Sequence, residues 1–208
     1  SDSRWGLRGT EDLGGGLKAI FALESGIDLP SGALNNAIAG KADSTTNSAN
    51  SSLNGQLFNR QAWVGLSDSS LGTIKFGRNY APIYDIAVSY DPVQNAQLFS
   101  PIGFSGTLGG GGGVSENTRQ DSSVKYTNKI GNVNFGAMFK LGGIAGSMSQ
   151  QSAYAFNLGY EAGRFGIQAA YQNATDGLKT EGKTVSGATQ ANVTAYDTSA
   201  WMIAAKYK

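Results

Sequence analysis

Large apolar side chains alternate with small or polar ones along most of the chain, which is the period of β-strands. In the run VNFGAMFKL, Val133, Phe135 and Phe139 share one face, whereas Asn134 and Lys140 share the other. We count about nine such runs, and most are longer than the usual strand of about 5 to 6 residues. The predicted strands cover residues 2–10, 16–28, 56–67, 72–79, 119–129, 132–142, 152–162, 164–174 and 196–207.

The connections between these runs alternate in length. Short turns such as SDSSLG and NKIGN separate some strands, and long polar loops at 29–56, 79–118 and 175–196 separate others. Short turns at one end of a sheet and long loops at the other are typical of an up-and-down meander. Loops of this length are uncommon in compact soluble domains. We therefore predict an all-β, antiparallel up-and-down β-barrel, with little regular structure in 79–118.

The alternation alone does not decide whether the apolar face points inward or outward. In SRWGLRGTEDLGGGLKAIFALESG, Arg4 and Arg8 share one face, and Trp5 and Leu7 share the other. The strand lengths, the one-sided long loops and the aromatic residues near strand ends favour a transmembrane barrel with its apolar face outward and a water-filled interior. This interpretation predicts that five residues face lipid: Leu7, Phe21, Phe135, Leu158 and Ile203.

The loop 79–118 contains apolar residues that need a surface on which to be buried. The inner wall of the barrel is the available surface, so we expect this loop to fold inward. The residues expected to pack there are Ile83, Ile86, Val88, Leu98, Phe99, Ile102 and Phe104.

The composition limits the possible chemistry. The 208 residues include neither cysteine nor histidine. The commonest general base, the thiol nucleophiles and the preferred ligands of transition metals are therefore missing. We predict no catalytic residue, no metal and no cofactor. The formal net charge of +1 gives no reason to expect nucleic acid as a partner.

Three segments together resemble the general diffusion porins of Gram-negative outer membranes. SRWGLRGTEDLGGGLKAIFALESG resembles the second and third strands of these porins. NRQAWVGLSDSSLGTIKFGRNYAPIYD resembles the fourth and fifth strands and the start of the third extracellular loop. RQDSSVKYTNKIGNVNFGAMF resembles the hairpin that follows. The resemblance implies a multi-pass outer-membrane protein, a homotrimer of sixteen-stranded barrels that contacts lipid and lipopolysaccharide. Such a pore passes small hydrophilic solutes and ions by passive diffusion.

The resemblance also implies an incomplete barrel. The first strand and the C-terminal strands of the family are not found, so we expect 1–208 to be a single porin domain that is partly present. The loop 79–118 would fold into the lumen and constrict the pore, with arginines on one side and carboxylates on the other. The usual Pro-Glu-Phe-Gly tip of that loop is replaced by PVQNAQLFSPIGFSGTLGGGGG, so a second acidic partner is not assigned.

Matching the motifs residue by residue gives the candidate constriction. Arg4 and Arg60 match basic residues of the second and fourth strands, Arg119 matches a basic residue reached from the sixth, and Asp91 falls where the acidic cluster of the loop begins. The candidates for a more peripheral pore lining are Arg8, Lys18, Glu24, Arg78, Lys125 and Asp121. Because arginines outnumber carboxylates in this set, we expect a weak preference for anions.

Two other classes of protein stay open at this point. A soluble β-barrel carrier would enclose an apolar lumen and close within about 8 to 10 strands. A carboxylate hydrolase would need a close acidic pair, for which Asp91 with Glu116 or Asp121 are the candidates. The orientation of Trp5, Phe21 and Trp201 distinguishes a porin from a carrier. In a porin these side chains point away from the lumen, and in a carrier they point into it.

Overall fold

Nine long antiparallel strands form one sheet in the computed structural model, and each hydrogen-bonds with the next long strand along the chain. The structure describes residues 3–34, 57–92, 119–143, 145–149, 152–175, 178–180, 184–185, 188–189, 193–195 and 198–207. The long strands are β1 (Arg4–Gly14), β2 (Leu17–Asp28), β4 (Gln61–Asp68), β5 (Gly72–Tyr80), β6 (Arg119–Ile130), β7 (Val133–Lys140), β8 (Ala153–Ala162), β9 (Phe165–Ala174) and β14 (Thr198–Tyr207).

Short strands and one helix complete the described elements. Strand β3 (Ala33–Leu34) extends the sheet beside β2. Two small antiparallel pairs lie between β9 and β14: β10 (Leu178–Thr180) with β13 (Val193–Ala195), and β11 (Thr184–Val185) with β12 (Ala188–Thr189). The helix is α1 (Pro82–Tyr90). Within the described residues, no helix has the length and apolar character needed to cross a bilayer.

The predicted antiparallel meander is confirmed, with strand ends that shift by a few residues. Strand β1 continues to Gly14, and the strand predicted from residue 56 begins at Gln61. Tight turns join β1 to β2, β4 to β5, β6 to β7 and β8 to β9, and longer segments make the other connections. Gly72 closes the β4–β5 turn with a φ of 86°, and a side chain there would lie 2.6 Å from the Thr127 carbonyl oxygen.

The expectation of little regular structure in 79–118 is wrong for its first part, because α1 occupies Pro82–Tyr90. Pro82 stands at the start of the helix, where its missing N–H has no partner to lose and its fixed φ suits the first turn. Ile83, Ile86 and Ala87 recur at the spacing of one helical face and are buried. The sequence from residue 93 to 118, including Leu98, Phe99, Ile102 and Phe104, lies outside the described residues.

We call the sheet face that packs against α1 the inner face. Ile83 and Ile86 of the helix form one cluster with Met138 of β7, Ala155 of β8 and Ala170 of β9. Small side chains on these strands allow the helix to approach the sheet closely. The expected burial of Ile83 and Ile86 on the inner wall is thus confirmed. The expected burial of Val88 is wrong: its side chain is on another side of the helix and is 46% exposed.

The opposite, outer face carries most of the large apolar side chains, and they are exposed. Leu158 of β8 is 61% exposed and Trp201 of β14 is 74% exposed, whereas Gly159 of β8 and Ala170 of β9 on the inner face are buried. Leu7, Phe21, Ile203 and Trp5 are exposed as well. Phe135 is half-buried, with its ring centroid 6.1 Å from that of Tyr126.

The inner face has the opposite character. Charged and polar residues such as Glu24, Lys125 and Gln172 are buried there among alanines and glycines. This arrangement is the reverse of the apolar lumen that a soluble carrier would need. The sheet is therefore polar inside and apolar outside, as the transmembrane interpretation predicts.

Candidate functional site

Glu24 is the centre of a hydrogen-bond cluster on the inner face. The residue is 5% exposed, and its Oε1 accepts hydrogen bonds from Arg60 Nε at 2.7 Å and from the Tyr80 hydroxyl at 2.9 Å. Its Oε2 accepts longer bonds of 3.3 Å from Arg8 Nη2 and Gln61 Nε2. One carboxylate thus orients two guanidinium groups that belong to distant parts of the chain.

A cleft of about 470 Å³ separates this cluster from α1. Arg4, Arg8 and Arg60 line one side, and the helix contributes Asp85 and Val88 to the other. Arg8 keeps 75% of its side chain exposed despite its bond to Glu24. The cleft therefore has open guanidinium groups on one wall and a carboxylate on the opposite wall.

A stack of aromatic and cationic groups joins the start of α1 to the sheet. The rings of Tyr80 and Tyr84 stack with centroids 4.5 Å apart. The Arg119 guanidinium lies 5.3 Å from the Tyr80 centroid and 5.8 Å from the Tyr84 centroid. Arg60 lies 6.0 Å from the Tyr80 centroid. Such cation–π contacts hold planar guanidinium groups in a fixed orientation.

Arg78 is bound within the wall and does not line the cleft. It is buried, its Nε donates to the Asn59 carbonyl oxygen at 2.8 Å, and its Nη1 forms an ion pair with Asp121. Both Arg78 and Asp121 were expected to line the pore. Their ion pair indicates that they connect β5, β6 and the segment before β4. Asp121 therefore has a cationic partner. Glu116, which the sequence offers as one member of an acidic pair, lies outside the described residues.

Asp85 is the carboxylate of α1 that contacts a cation of the sheet and also lines the cleft. It forms an ion pair with the buried Lys125 of β6, whose Nζ also donates to the Tyr80 carbonyl oxygen at 2.8 Å. Asp91, the predicted acidic residue, follows the end of α1 as its C-terminal cap. Asp85, six residues earlier, lines the cleft instead.

The far end of α1 is tied to the opposite part of the sheet. The Tyr90 hydroxyl donates to Glu161 Oε1 at 2.8 Å, and Lys206 Nζ lies 2.8 Å from the same oxygen and 4.0 Å from the Tyr90 ring centroid. Burial, followed by the hydrogen bond to Glu161, raises the pKa of Tyr90 to about 12. A second polar cleft of about 580 Å³ lies on this side, and Asp85, Glu161 and Lys206 are among its lining residues.

Lys18 is the remaining residue that the sequence predicts to line the pore. Lys18 is exposed at the turn end of β2, and strand alternation puts it on the same face as Glu24. The residues that the sequence reasoning did not single out are Tyr80, Tyr84, Asp85, Tyr90, Glu161 and Lys206. The spacing of Ile83, Ile86 and Tyr90 at three and four residues was the signal that would have indicated a helix and hence the position of Asp85.

Guanidinium groups on one wall of this cleft face a carboxylate on the other, with protein on both sides. Opposite charges placed in this way create a field across a cleft. Arginine suits this role because it stays charged at every relevant pH.

The comparisons with known proteins agree with this arrangement. The Gram-negative porin family matches residues 1–208. An outer membrane porin protein of Bordetella pertussis is 38% identical over 125 residues, which are 60% of this chain and 26% of that protein. Outer membrane porin protein 32 of Delftia acidovorans is 33% identical over 137 residues, 65% of this chain and 33% of that protein. The matches thus span about a quarter to a third of the length of these relatives.

Solved structures show the same fold. The anion-selective porin from Comamonas acidovorans superposes with a TM-score of 0.59 at 25% identity, over 86% of this chain and 50% of that one. OmpF of Salmonella typhi superposes with a TM-score of 0.53 at 24% identity, over 82% of this chain and 46% of that one. The polar inner face, the inward helix and the match along the whole sequence have one explanation: this chain belongs to the Gram-negative porin family and is a multi-pass β-strand protein of the outer membrane.

Proposed function

We propose that the protein forms a water-filled channel through which small hydrophilic solutes and ions diffuse passively, with a weak preference for anions. The observation that supports this most directly is the cleft in which Arg4, Arg8 and Arg60 face Asp85 of α1. A diffusion pore needs a wet passage and a shaped field at its narrowest point, and no step in which a bond is made or broken.

The expected preference for anions over cations follows from how the charged residues of the cleft are paired. Asp85 is paired with Lys125, and Glu24 is buried beneath the arginines that it binds. The groups most open to the cleft are therefore the guanidinium groups of Arg4 and Arg8, whereas Arg60 is largely buried against Glu24. Arg119, beside Tyr84, adds positive charge near the cleft. The name of the Comamonas porin, which describes it as anion-selective, is consistent with this proposal.

The assembly and surroundings belong to the same proposal. Residues 1–208 contribute one part of a single barrel domain, and 79–118 form the segment that narrows its lumen. The exposed apolar outer face, which includes Leu158 and Trp201, contacts lipid, with lipopolysaccharide in the outer leaflet. Three copies of the barrel form a homotrimer. Arg4, Arg60 and Arg119 form the basic side of the constriction, and we propose Asp85 in place of Asp91 for the acidic side.

Reversal potentials under a potassium chloride gradient test the selectivity. The protein isolated from outer membranes is placed in planar lipid bilayers and compared with the Arg4→Ala/Arg60→Ala variant. We expect anion preference in the parent and a shift toward cations in the variant. Arg164→Ala, in the exposed turn between β8 and β9, is the control and should leave the potential unchanged.

Salt supplies a second criterion for the same proposal. Charges are screened over about 10 Å at 0.1 M ionic strength and over about 3 Å at 1 M. The anion preference should therefore decrease as the salt concentration rises. Cation preference in the parent, or an unchanged potential in the double variant, would contradict the proposal.

A further inference from the structure

The cleft between the arginines and α1 has an apolar strip on its helical wall. Tyr84 and Val88 are four residues apart on the helix, so their side chains are neighbours on one side of it. Both residues line the cleft. Val88 is 46% exposed, although an aliphatic side chain gains nothing from facing the water of a channel.

The opposite wall supplies cations, and the ring of Tyr80 on this side stacks against Tyr84. Arg4, Arg8 and Arg60 line it, and Glu24 fixes the orientation of the last two. Guanidinium groups bind carboxylates through paired, parallel hydrogen bonds and also stack against flat aromatic faces. The cleft volume of about 470 Å³ lies in the range of small-molecule pockets, which is about 300 to 1,000 Å³.

From these two walls we infer that the cleft is a binding subsite for small aromatic carboxylates, of which benzoate is the simplest. The carboxylate binds the arginines, and one face of the ring packs against the strip of Tyr84 and Val88. Inorganic phosphate or sulfate would use only the arginines and would leave the apolar strip in water. This inference rests on the proposed channel function and adds a solute class to it.

Occupancy of the subsite should be visible as a block of the chloride current. A bound benzoate narrows the passage and lowers the single-channel conductance in potassium chloride. Acetate carries the same carboxylate without a ring. We expect benzoate to reach half-block at a concentration about fivefold to tenfold below acetate, which is the size of effect expected when one face of a ring leaves water.

The isosteric substitution Val88→Thr tests the apolar wall without changing charge or shape. It should raise the half-blocking concentration of benzoate about threefold, since a hydroxyl replaces a methyl at the contact. Because acetate has no ring, its half-blocking concentration should change less than that of benzoate. The control is Thr127→Val, which makes the reverse change in the second cleft and should not alter the block by benzoate.

The outcomes separate this inference from the proposed function. A channel that prefers anions but is blocked equally by benzoate and acetate overturns the subsite and supports the selectivity. A channel that prefers cations but is blocked selectively by benzoate overturns the selectivity and supports the subsite. A Val88→Thr variant with the benzoate block of the parent overturns the assignment of the apolar wall.

Discussion

Arg60 and Glu24 are joined by a hydrogen bond of 2.7 Å between Nε and Oε1, across 36 positions of sequence. The same carboxylate binds Arg8 of the neighbouring strand β1. A buried carboxylate therefore determines where two arginines of the cleft lie. Its position explains why a net-basic cleft contains a glutamate beneath the arginines.

Replacing Glu24 should increase anion preference and loosen the arginines at the same time. Glu24→Gln removes one negative charge and retains a side chain of similar size. Because Arg60 is mostly buried, loss of its charged acceptor should lower the free energy of unfolding by about 1.5 to 3 kcal/mol. The reversal potential and a urea titration of folding in lipid vesicles measure the two effects.

The control for Glu24→Gln is Glu11→Gln, an identical change at an exposed position of β1. It removes the same charge without disturbing the arginine cluster. Equal effects of the two substitutions on stability would show that Glu24 does not hold the arginines.

An arginine substitution should impair folding into lipid on the outer face of the sheet and should be tolerated on the inner face. Leu158 and Asn157 are consecutive residues of β8 that point to opposite faces. An arginine on the lipid face costs about 2 to 4 kcal/mol near the bilayer midplane. Leu158→Arg should therefore reduce folding into lipid vesicles, measured by the shift in electrophoretic mobility on folding, and Asn157→Arg should not. Folding of the two variants with the same yield would contradict the assignment of the faces.

The far attachment of α1 depends on the lack of a side chain at Gly166. A Cβ at this position would lie 2.8 Å from the Tyr90 hydroxyl oxygen and 3.1 Å from Lys206 Cε. Gly166→Val should therefore displace Tyr90 from Glu161 and change the single-channel conductance. Ala169→Val adds similar volume to the exposed outer face of the same strand and serves as control. An unchanged conductance in Gly166→Val would show that this attachment does not set the aperture.

The bond from Tyr90 to Glu161 should also fail at high pH. The pKa of Tyr90 is raised to about 12 from an ordinary value of 10. A group whose pKa is higher in the folded protein stabilises it fully below pH 10, and this contribution is lost as the pH rises through about 12. Absorbance near 295 nm reports tyrosinate, so the difference between parent and Tyr90→Phe gives the titration of this one side chain. A midpoint of that difference near pH 10 would contradict the predicted shift.

The sequence was sufficient to predict the sheet because two signals agreed along each strand. Alternation separates apolar from polar positions, and the strand lengths and the one-sided long loops place Leu158 outside and Lys125 inside. The turns fix the strand ends to within a few residues. The ion pairs on the inner face could not be predicted in the same way. Arg78, which pairs with Asp121, lies at a register irregularity between Gly77 and Asn79. Such an irregularity disturbs the alternation of side chains, so alternation does not predict which face Arg78 occupies.

The sequence does not predict the helix because its residues lie in a long connection that resembles a porin loop. Ile83, Ile86 and Val88 are β-branched, which lowers their helix propensity. The helix forms because the inner wall offers small side chains such as Ala155 and Ala170, against which Ile83 and Ile86 pack. The local signal of the helix is the spacing of Ile83, Ile86 and Tyr90. The surface on which the helix packs is built from residues far along the chain and has no local signature. Asp85 was missed with the helix, and the acidic role was assigned to Asp91.

The attachment of α1 across the sheet has a consequence for the order of assembly. Each long strand pairs with its neighbour in sequence, so the hydrogen-bond ladder can form from contacts that are close along the chain. The bond from Tyr90 to Glu161 spans 71 positions and requires that β8 already be in place. Because closing long loops costs more entropy than closing short ones, we expect the sheet to form as an unobstructed trough that α1 enters last. Pulse-labelled hydrogen exchange would then show protection of the strands before protection of the helix, and the aperture would be set in the final stage of folding.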